Sequence, residues 1–272
     1  DKEQVIGFDG KLLPIAGEFA GMRIEDARPK IVEKLAAKGL LVKTEEDYVH
    51  NVAVSYRGGG MIEPQIKEQW FIDVNKPVVQ WKRRELSLKQ IMQEVVKTGL
   101  VRIIPDRFEK TYFHWIDNLK DWCISRQIWW GHRIPVWYRR DRGSLETYVG
   151  VRPPEGDGWD QDPDTLDTWF SAALWTWSTL IDPELAEEHD LSLRDLFLHS
   201  PDFLKFHPTD VMETGYDILF FWVARMILMT TYATSGIPEL EYGQVPFDTV
   251  YLHGLIRTRE GNMRHWGGQA SI

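Results

Sequence analysis

Apolar and polar positions alternate along this chain in the rhythm of an α/β protein, and the run from Asp210 to Met229 sets the plan. A short apolar piece, Val211 and Met212, gives way to Glu213, Thr214 and Gly215. An apolar run of helical length follows, with Asp217 in its first turn and Arg225 deeper in. That order predicts a strand, a tight turn and a buried helix. Glycine permits the backbone a turn needs, and an acid suits the start of a helix. Phe247 to Gly254 predicts a second strand, again ending in glycine. Strand, helix and strand at this spacing predict a βαβ unit, and ligands of such sheets sit at the carboxyl ends of the strands. Glu213 to Asp217 and His253-Gly254 are therefore the candidate small-molecule site.

The same pattern organises the rest. Asp9-Gly10 between apolar pieces predicts a hairpin within residues 1–20. Ile24 to Ala37 carries Ala27, Ile31, Leu35 and Ala36 at helical spacing, with Gly39 as a stop. Val52 to Gln69 is strand-like around a Gly58-Gly59-Gly60 break. Ser87 to Thr98 predicts an amphipathic helix, Val101–Ile104 a strand, and Asp106 to Lys120 a helix that buries aromatic residues. Asp121 to Tyr138 predicts a strand, a turn at Gly131 and another strand. The polar, Gly/Pro-rich stretch Arg139 to Gly158 predicts an exposed hairpin with a loop. Asp167 or Asp164 is a candidate N-cap for a short helix, and residues 182–205 suggest charged surface material.

Composition narrows the class. A length of 272 residues suffices for one large domain or two modest ones with a real core. A net charge of −9 argues against coating nucleic acid by bulk electrostatics, though it leaves room for a local basic face. The 13 tryptophans suit cores and ligand pockets alike, with the core expected for most of them. Cys123 stands alone, so neither a disulfide framework nor a CxxC knuckle is available, and a reducing, cytoplasmic setting is expected. Ile218–Met229 is too short to span a bilayer and contains Arg225, no secretory signal is recognisable, and no membrane role is expected. The start at Asp1, in mid-pattern and without an initiator Met, reads as that of an internal fragment.

Candidate chemistry stays ambiguous at this level. A carboxylate at a strand's carboxyl end commonly grips a ribose hydroxyl, but Asp217 four residues after Glu213 equally suits a helix cap. The histidines His50, His114, His132, His189, His199, His207, His253 and His265 include no pair at metal-ligand spacing. Arg133, Arg139, Arg140 and Arg142 could touch phosphate or could simply decorate a solvated hairpin. No GxSxG elbow, Walker loop or GxGxxG is present. Residue types and spacing thus lead to an α/β protein with a nucleotide-type site.

The wording of four ordered segments goes further. Trp122-Cys-Ile-Ser-Arg-Gln-Ile-Trp-Trp-Gly-His-Arg-Ile-Pro-Val-Trp137, Asp164-Thr-Leu-Asp-Thr-Trp-Phe-Ser-Ala-Ala-Leu-Trp175, Pro208-Thr-Asp-Val-Met-Glu-Thr-Gly-Tyr-Asp-Ile-Leu-Phe-Phe-Trp-Val-Ala-Arg-Met226 and Thr249-Val-Tyr-Leu-His-Gly-Leu255 together resemble the valyl-tRNA synthetase family of class I. The likeness runs from about Glu63 to Gly261. Isoleucyl and leucyl relatives share the Ile-Ser-Arg-Gln core but differ in the Trp-Trp-Gly-His continuation and in Asp-Thr-Trp-Phe-Ser. The resemblance implies the second half of a Rossmann-like catalytic domain preceded by the trailing part of an inserted editing domain. By it, residues 1–60 are that remnant, 61–120 a connecting segment, 121–262 the catalytic half, and 263–272 an atypical tail. By matching position, Trp169, Ile218 and Trp222 line a valine pocket, Gly215 and Asp217 hold the adenosine ribose, and His253 and Gly254 flank the adenine. The implied partners are valine, ATP with Mg²⁺, and tRNA(Val), for a monomeric cytoplasmic ligase.

Departures from the family's pattern are equally specific. The HIGH histidines have no counterpart in this sequence, and Met263-Arg264-His265 stands where the KMSKS lysines should follow Glu260-Gly261-Asn262. Some relatives carry CxxC zinc knuckles near the position of Tyr56–Gly60, where this chain has none, so no zinc is expected. No catalytic residue is assigned, and the fragment alone is expected to be inactive. A sister ligase for isoleucine or leucine, and a non-catalytic nucleotide- or tRNA-binding module, remain the alternative readings.

Overall fold

A parallel strand–helix–strand unit lies at the heart of the larger part of the chain, as the rhythm around Gly215 predicts. The computed structural model describes residues 3–55, 58–141, 143–188, 190–240 and 244–256; Tyr56, Arg142, His189, Gly261, His265 and the 263–272 tail lie outside these. The chain divides into two units, residues 1–68 and 69–272.

The first unit holds α1 (Ile24–Ala37), which ends where Gly39 turns with a φ of 67°. Among the described residues its buried apolar side chains are Leu12 and Ala27. The expected hairpin is reduced to single bridges, Ile6 with Leu12 and Lys11 with Arg23, and the strand expected from Val52 onward to one bridge between Val54 and Met61. With so little apolar surface to cover, neither segment gains the packing that would stabilise a longer ladder.

The second unit opens with β1 (Phe71–Ile72), β2 (Pro77–Trp81) and β3 (Arg84–Ser87), and continues into α2 (Leu88–Lys97). Ser87 starts α2 with a reciprocal cap: its hydroxyl accepts from the Gln90 amide, and the Gln90 side chain accepts from the Ser87 amide. The predicted stripe of Leu88, Ile91, Met92, Val95 and Val96 is buried. After β4 (Arg102–Ile104), α3 (Arg107–Asp117) packs on α2; Tyr112 donates its hydroxyl to the Met92 carbonyl at 3.0 Å, and burial raises its pKa. Short strands follow: β5 (Trp122–Cys123) pairs with β1, while β6 (Ser125–Arg126) pairs with the later β10 (Thr165–Leu166). Between them β7 (Val136–Asp141) and β8 (Ser144–Val149) form a hairpin that takes in the end of the strand expected up to Tyr138 and the first part of the Arg139–Gly158 stretch, with β9 (Asp160–Gln161) on its other edge.

Helices α4 (Thr168–Ala173), α5 (Trp175–Ser178), α6 (Pro183–Ala186), α7 (Leu193–His199) and α8 (Pro201–Phe206) come next. The last three occupy the stretch expected to be charged surface material, much of which is exposed. Phe197 and Phe203 stack at 4.5 Å in a small second core closed by Ile237 and Leu240. The charges of Glu184 to Asp190 masked two apolar anchors. Strand β11 (Thr209–Gly215) then runs into a 3₁₀ turn (Tyr216–Ile218), a π-helical turn (Leu219–Val223) and α9 (Ala224–Ala233), before β12 (Phe247–His253). The sheet is parallel, in the order β11–β12–β4. Tryptophan usage departs from expectation: of those described, Trp81 and Trp122 are buried, whereas Trp129, Trp130 and Trp175 stand exposed.

Asp167 ties these parts together. Its buried carboxylate caps α4 by accepting from the Trp169 amide, accepts from Trp122 Nε1 at 3.0 Å, and pairs with Arg126 at 3.0 Å. Arg225 of α9 lies 3.9 Å away, with its guanidinium 4.3 Å over the Trp122 ring. Replacing Asp167 by Asn keeps a capping oxygen but removes the charge both arginines face. Breaking such a buried pair costs about 3 kcal/mol, so Asp167→Asn lowers the urea midpoint by the corresponding amount. A midpoint unchanged from the parent would contradict this network's structural role.

Candidate functional site

The carboxyl ends of β11 and β12 deliver the first group of predicted residues to one place. In the parallel register Gly215 lies beside His253, and Glu213 beside Tyr251. Residues two apart on a strand share a face, so Glu213, Gly215, Tyr251 and His253 lie on one side of the sheet. Gly215 is buried and extended, with φ −65° and ψ 143°, so its glycine character serves space and not the unusual backbone that the sequence suggests. A Cβ there would sit 2.6 Å from Asp217 Oδ1 and 2.9 Å from Leu255 Cδ2.

Asp217 folds its carboxylate back over that bare glycine. It is half-buried, makes no capping hydrogen bond, and takes no hydrogen bond or ion pair from any described residue. A side-chain cap, the alternative that spacing left open, is not its role. The carboxylate is instead a free acceptor at a strand end. His253 is exposed, and its Nδ1 donates to the Gly254 carbonyl at 2.8 Å, because a carbonyl can only accept. That bond leaves Nε2 without a partner among the described residues. Gly254 is exposed, with open space where a Cβ would be.

The second group gathers where α4 meets the π-helical turn. Trp169 stacks on Phe221 with ring centroids 5.8 Å apart. Trp222 donates its indole N–H to the Ala172 carbonyl at 3.0 Å and lies 6.1 Å from the Trp175 ring. Trp169 and Trp222 thus share one helix junction, each against its own aromatic neighbour. Ile218, half-buried, ends the 3₁₀ turn that follows Asp217 and connects the two groups along the chain. The π-helical turn carries Phe221 and Trp222; such turns recur at functional sites because they re-aim side chains within a helix. Helical periodicity alone gave no sign of it, nor of Phe221 and Trp175 as partners.

Of the arginine cluster, Arg133 and Arg139 have protein partners, and Arg142 lies outside the described residues. Arg133 donates to the carbonyls of Gln161 and Asp162, and Arg139 pairs with Glu146 while lying 4.7 Å over Trp159. Among the described residues no group of three or more His, Cys, Asp or Glu is arranged to hold a metal ion, and no helix is long and apolar enough to cross a membrane.

Comparison with known proteins identifies the family. The family of tRNA synthetases class I (I, L, M and V) matches over residues 20–152 and 151–264. Valine–tRNA ligase of Clostridium tetani is 43% identical over 267 residues, covering 96% of this chain and 26% of the relative. That of Geobacillus kaustophilus is 42% identical over 259 residues, covering 94% and 26%. The chain therefore spans about a quarter of the length of these relatives. Among solved structures, a methionyl-tRNA synthetase of Mycobacterium tuberculosis superposes on 81% of this chain and 32% of its own, with 14% identity and a TM-score of 0.48. With the family matched across most of its length, the chain belongs to the class I tRNA synthetases of the isoleucine, leucine, methionine and valine group.

Proposed function

We propose that this chain is the part of a valine–tRNA ligase that receives valine and the adenosine end of ATP. The observation that carries the reading is the free Asp217 carboxylate folded over Gly215, beside His253 at the ends of two parallel strands. Trp169, Ile218 and Trp222 are its valine pocket, Gly215 and Asp217 its ribose grip, and His253 with Gly254 its adenine flank. Residues 1–60 are the end of an inserted editing domain, 61–120 a connecting segment, and 121–262 the second half of the catalytic fold. The identity to valine–tRNA ligases supports valine over its sister amino acids.

The reaction joins valine to ATP, giving valyl-adenylate and pyrophosphate, and then passes the valyl group to the terminal ribose of tRNA(Val). Such a cytoplasmic enzyme works as a monomer, with Mg²⁺ entering on its ATP. In the first step the valine carboxylate attacks the α-phosphorus and the bond to pyrophosphate breaks. Protein groups here gain rate by alignment more than by covalent chemistry. Asp217 accepts hydrogen bonds from ribose hydroxyls and fixes the nucleoside, while the indoles hold the side chain so that the carboxylate faces the phosphorus. A rigid aromatic pocket excludes isoleucine by size. It cannot strongly reject threonine, a near-isostere, the behaviour for which valine-specific ligases are the standard illustration.

Two outcomes follow. Asp217→Ala removes an acceptor, and Gly215→Ala drives a methyl group into the Asp217 carboxylate. Losing a charged hydrogen bond costs about 1.5–3 kcal/mol, roughly ten- to a hundredfold in affinity. Calorimetry with the non-hydrolysable valyl-sulfamoyl adenosine should show that loss in both variants; parental affinity in Asp217→Ala would refute the ribose assignment. The second concerns the chain alone. This sequence carries neither HIGH nor KMSKS groups to stabilise charge on the phosphates, so purified chain should give no valine-dependent pyrophosphate exchange above background. Robust exchange would mean that other residues supply that stabilisation.

A further inference from the structure

A cavity of about 400 Å³ lies between α2, α3, β5 and α9, and none of the residues assigned to the valine and adenosine site lines it. Its apolar floor includes Trp115 and Leu119 beside the buried Met92 and Leu228, and its polar lining includes Asn118, Lys120, Asp121, Arg126 and Arg225. The volume is that of a small-molecule site, and the lining mixes apolar faces with charged groups.

The charge in that lining is incompletely matched. Of the Arg225 guanidinium, Nη1 alone has a described acceptor, the Phe221 carbonyl at 3.3 Å. Its nearest carboxylate, Asp167, is 3.9 Å away and already engaged with Trp122 Nε1 and Arg126. Two guanidinia therefore share one carboxylate, and one positive charge remains without its own counter-ion. Burial lowers the Arg225 pKa to about 10, which still leaves it protonated at neutral pH. The Trp122 and Phe221 rings, 4.3 and 5.6 Å away, offset part of its desolvation, and its unused donors remain for an anion to complete. Lys120 at the rim adds a cation with no described partner, while Asp121, the one lining carboxylate, accepts from the Val74 amide at 3.2 Å.

We propose that this cavity is a second binding site, taking a small amphipathic anion: an oxyanion head at Arg225, with the Arg126 charge nearby, and an apolar or aromatic body over Trp115 and Leu119. Arg126 already gives Nη1 to the Cys123 and Ser125 carbonyls and Nη2 to Asp167, so the open guanidinium fork is that of Arg225. Such a fork suits carboxylate and phosphate heads alike, and the floor selects for an apolar body in either case. The inference stands independently of the valine reading, since it uses a different cavity and needs no ATP.

Cys123, the one cysteine in the sequence, lines the same cavity and is half-buried, so it serves as a built-in reporter. The intact chain is alkylated with iodoacetate, an anion, and with neutral iodoacetamide, and the rate ratio is compared with that of a free cysteine derivative. The site predicts a ratio raised at least fivefold over the free thiol. It predicts protection of Cys123 by 3-phenylpropionate but not by 3-phenylpropanol at equal concentration. Arg225→Met abolishes both effects, and Arg225→Lys retains a raised ratio. Where the methionine variant fails to fold, Lys120→Gln replaces it and lowers the ratio by a smaller factor. Phosphate and phenyl phosphate are compared in the same protection assay to rank the head groups. A wild-type ratio equal to that of the free thiol, equal protection by the alcohol, or a ratio indifferent to loss of the cation tested would each overturn the proposal.

Discussion

The pairing of β11 with β12 is the constraint on which the candidate site depends. It sets Gly215 beside His253 at the strand ends, and the chain's next few residues bring Asp217 back over the glycine. Side chains alternate along a strand, so a slip of one residue would move Glu213 and Gly215 to the opposite face and separate them from His253. What prevents the slip is burial on the other face: Met212, Thr214, Val250 and Leu252 are all buried there. Core packing on one side of the sheet thereby fixes polar chemistry on the other.

A second constraint orients the helical half. Asp167 holds the start of α4, the Trp122 indole and both arginines. Because α4 presents Trp169 to Phe221 and Ala172 to Trp222, the same carboxylate that caps the helix also sets where the aromatic junction falls. A carboxylate in that position costs desolvation, and the cost is offset only while each partner stays in place. The π-helical turn is the complementary device on the facing segment, widening the coil just where Phe221 and Trp222 must meet α4.

Much of this was legible in the residues themselves, and the reasons differ by element. Ser87–Thr98 and the two parallel strands were readable because their apolar spacing coincides with the faces they bury, whereas Ile24–Ala37 was readable from spacing and its Gly39 stop although, of its spaced apolar residues, only Ala27 is buried. Asp167 was readable as a cap because an acid precedes a helical run. The three helices of residues 183–206 were not, since their core rests on Phe197 and Phe203 amid charges that dominate the local pattern. Gly215 was singled out for a backbone reason that proved wrong; its value is the space it leaves for Asp217. Trp129 and Trp130 show the limit of composition, because an apolar type says nothing about whether anything covers it.

The central claim, a nucleoside–valine site at the ends of β11 and β12, is most directly tested by residue-resolved hydrogen exchange of the chain with and without valyl-sulfamoyl adenosine. The account predicts slowed exchange at Gly215 to Ile218 and at His253 to Leu255, together with the Trp222 segment, and unchanged exchange in residues 1–68. Saturable binding with protection confined to any other region would contradict it, as would unaltered exchange at both strand ends.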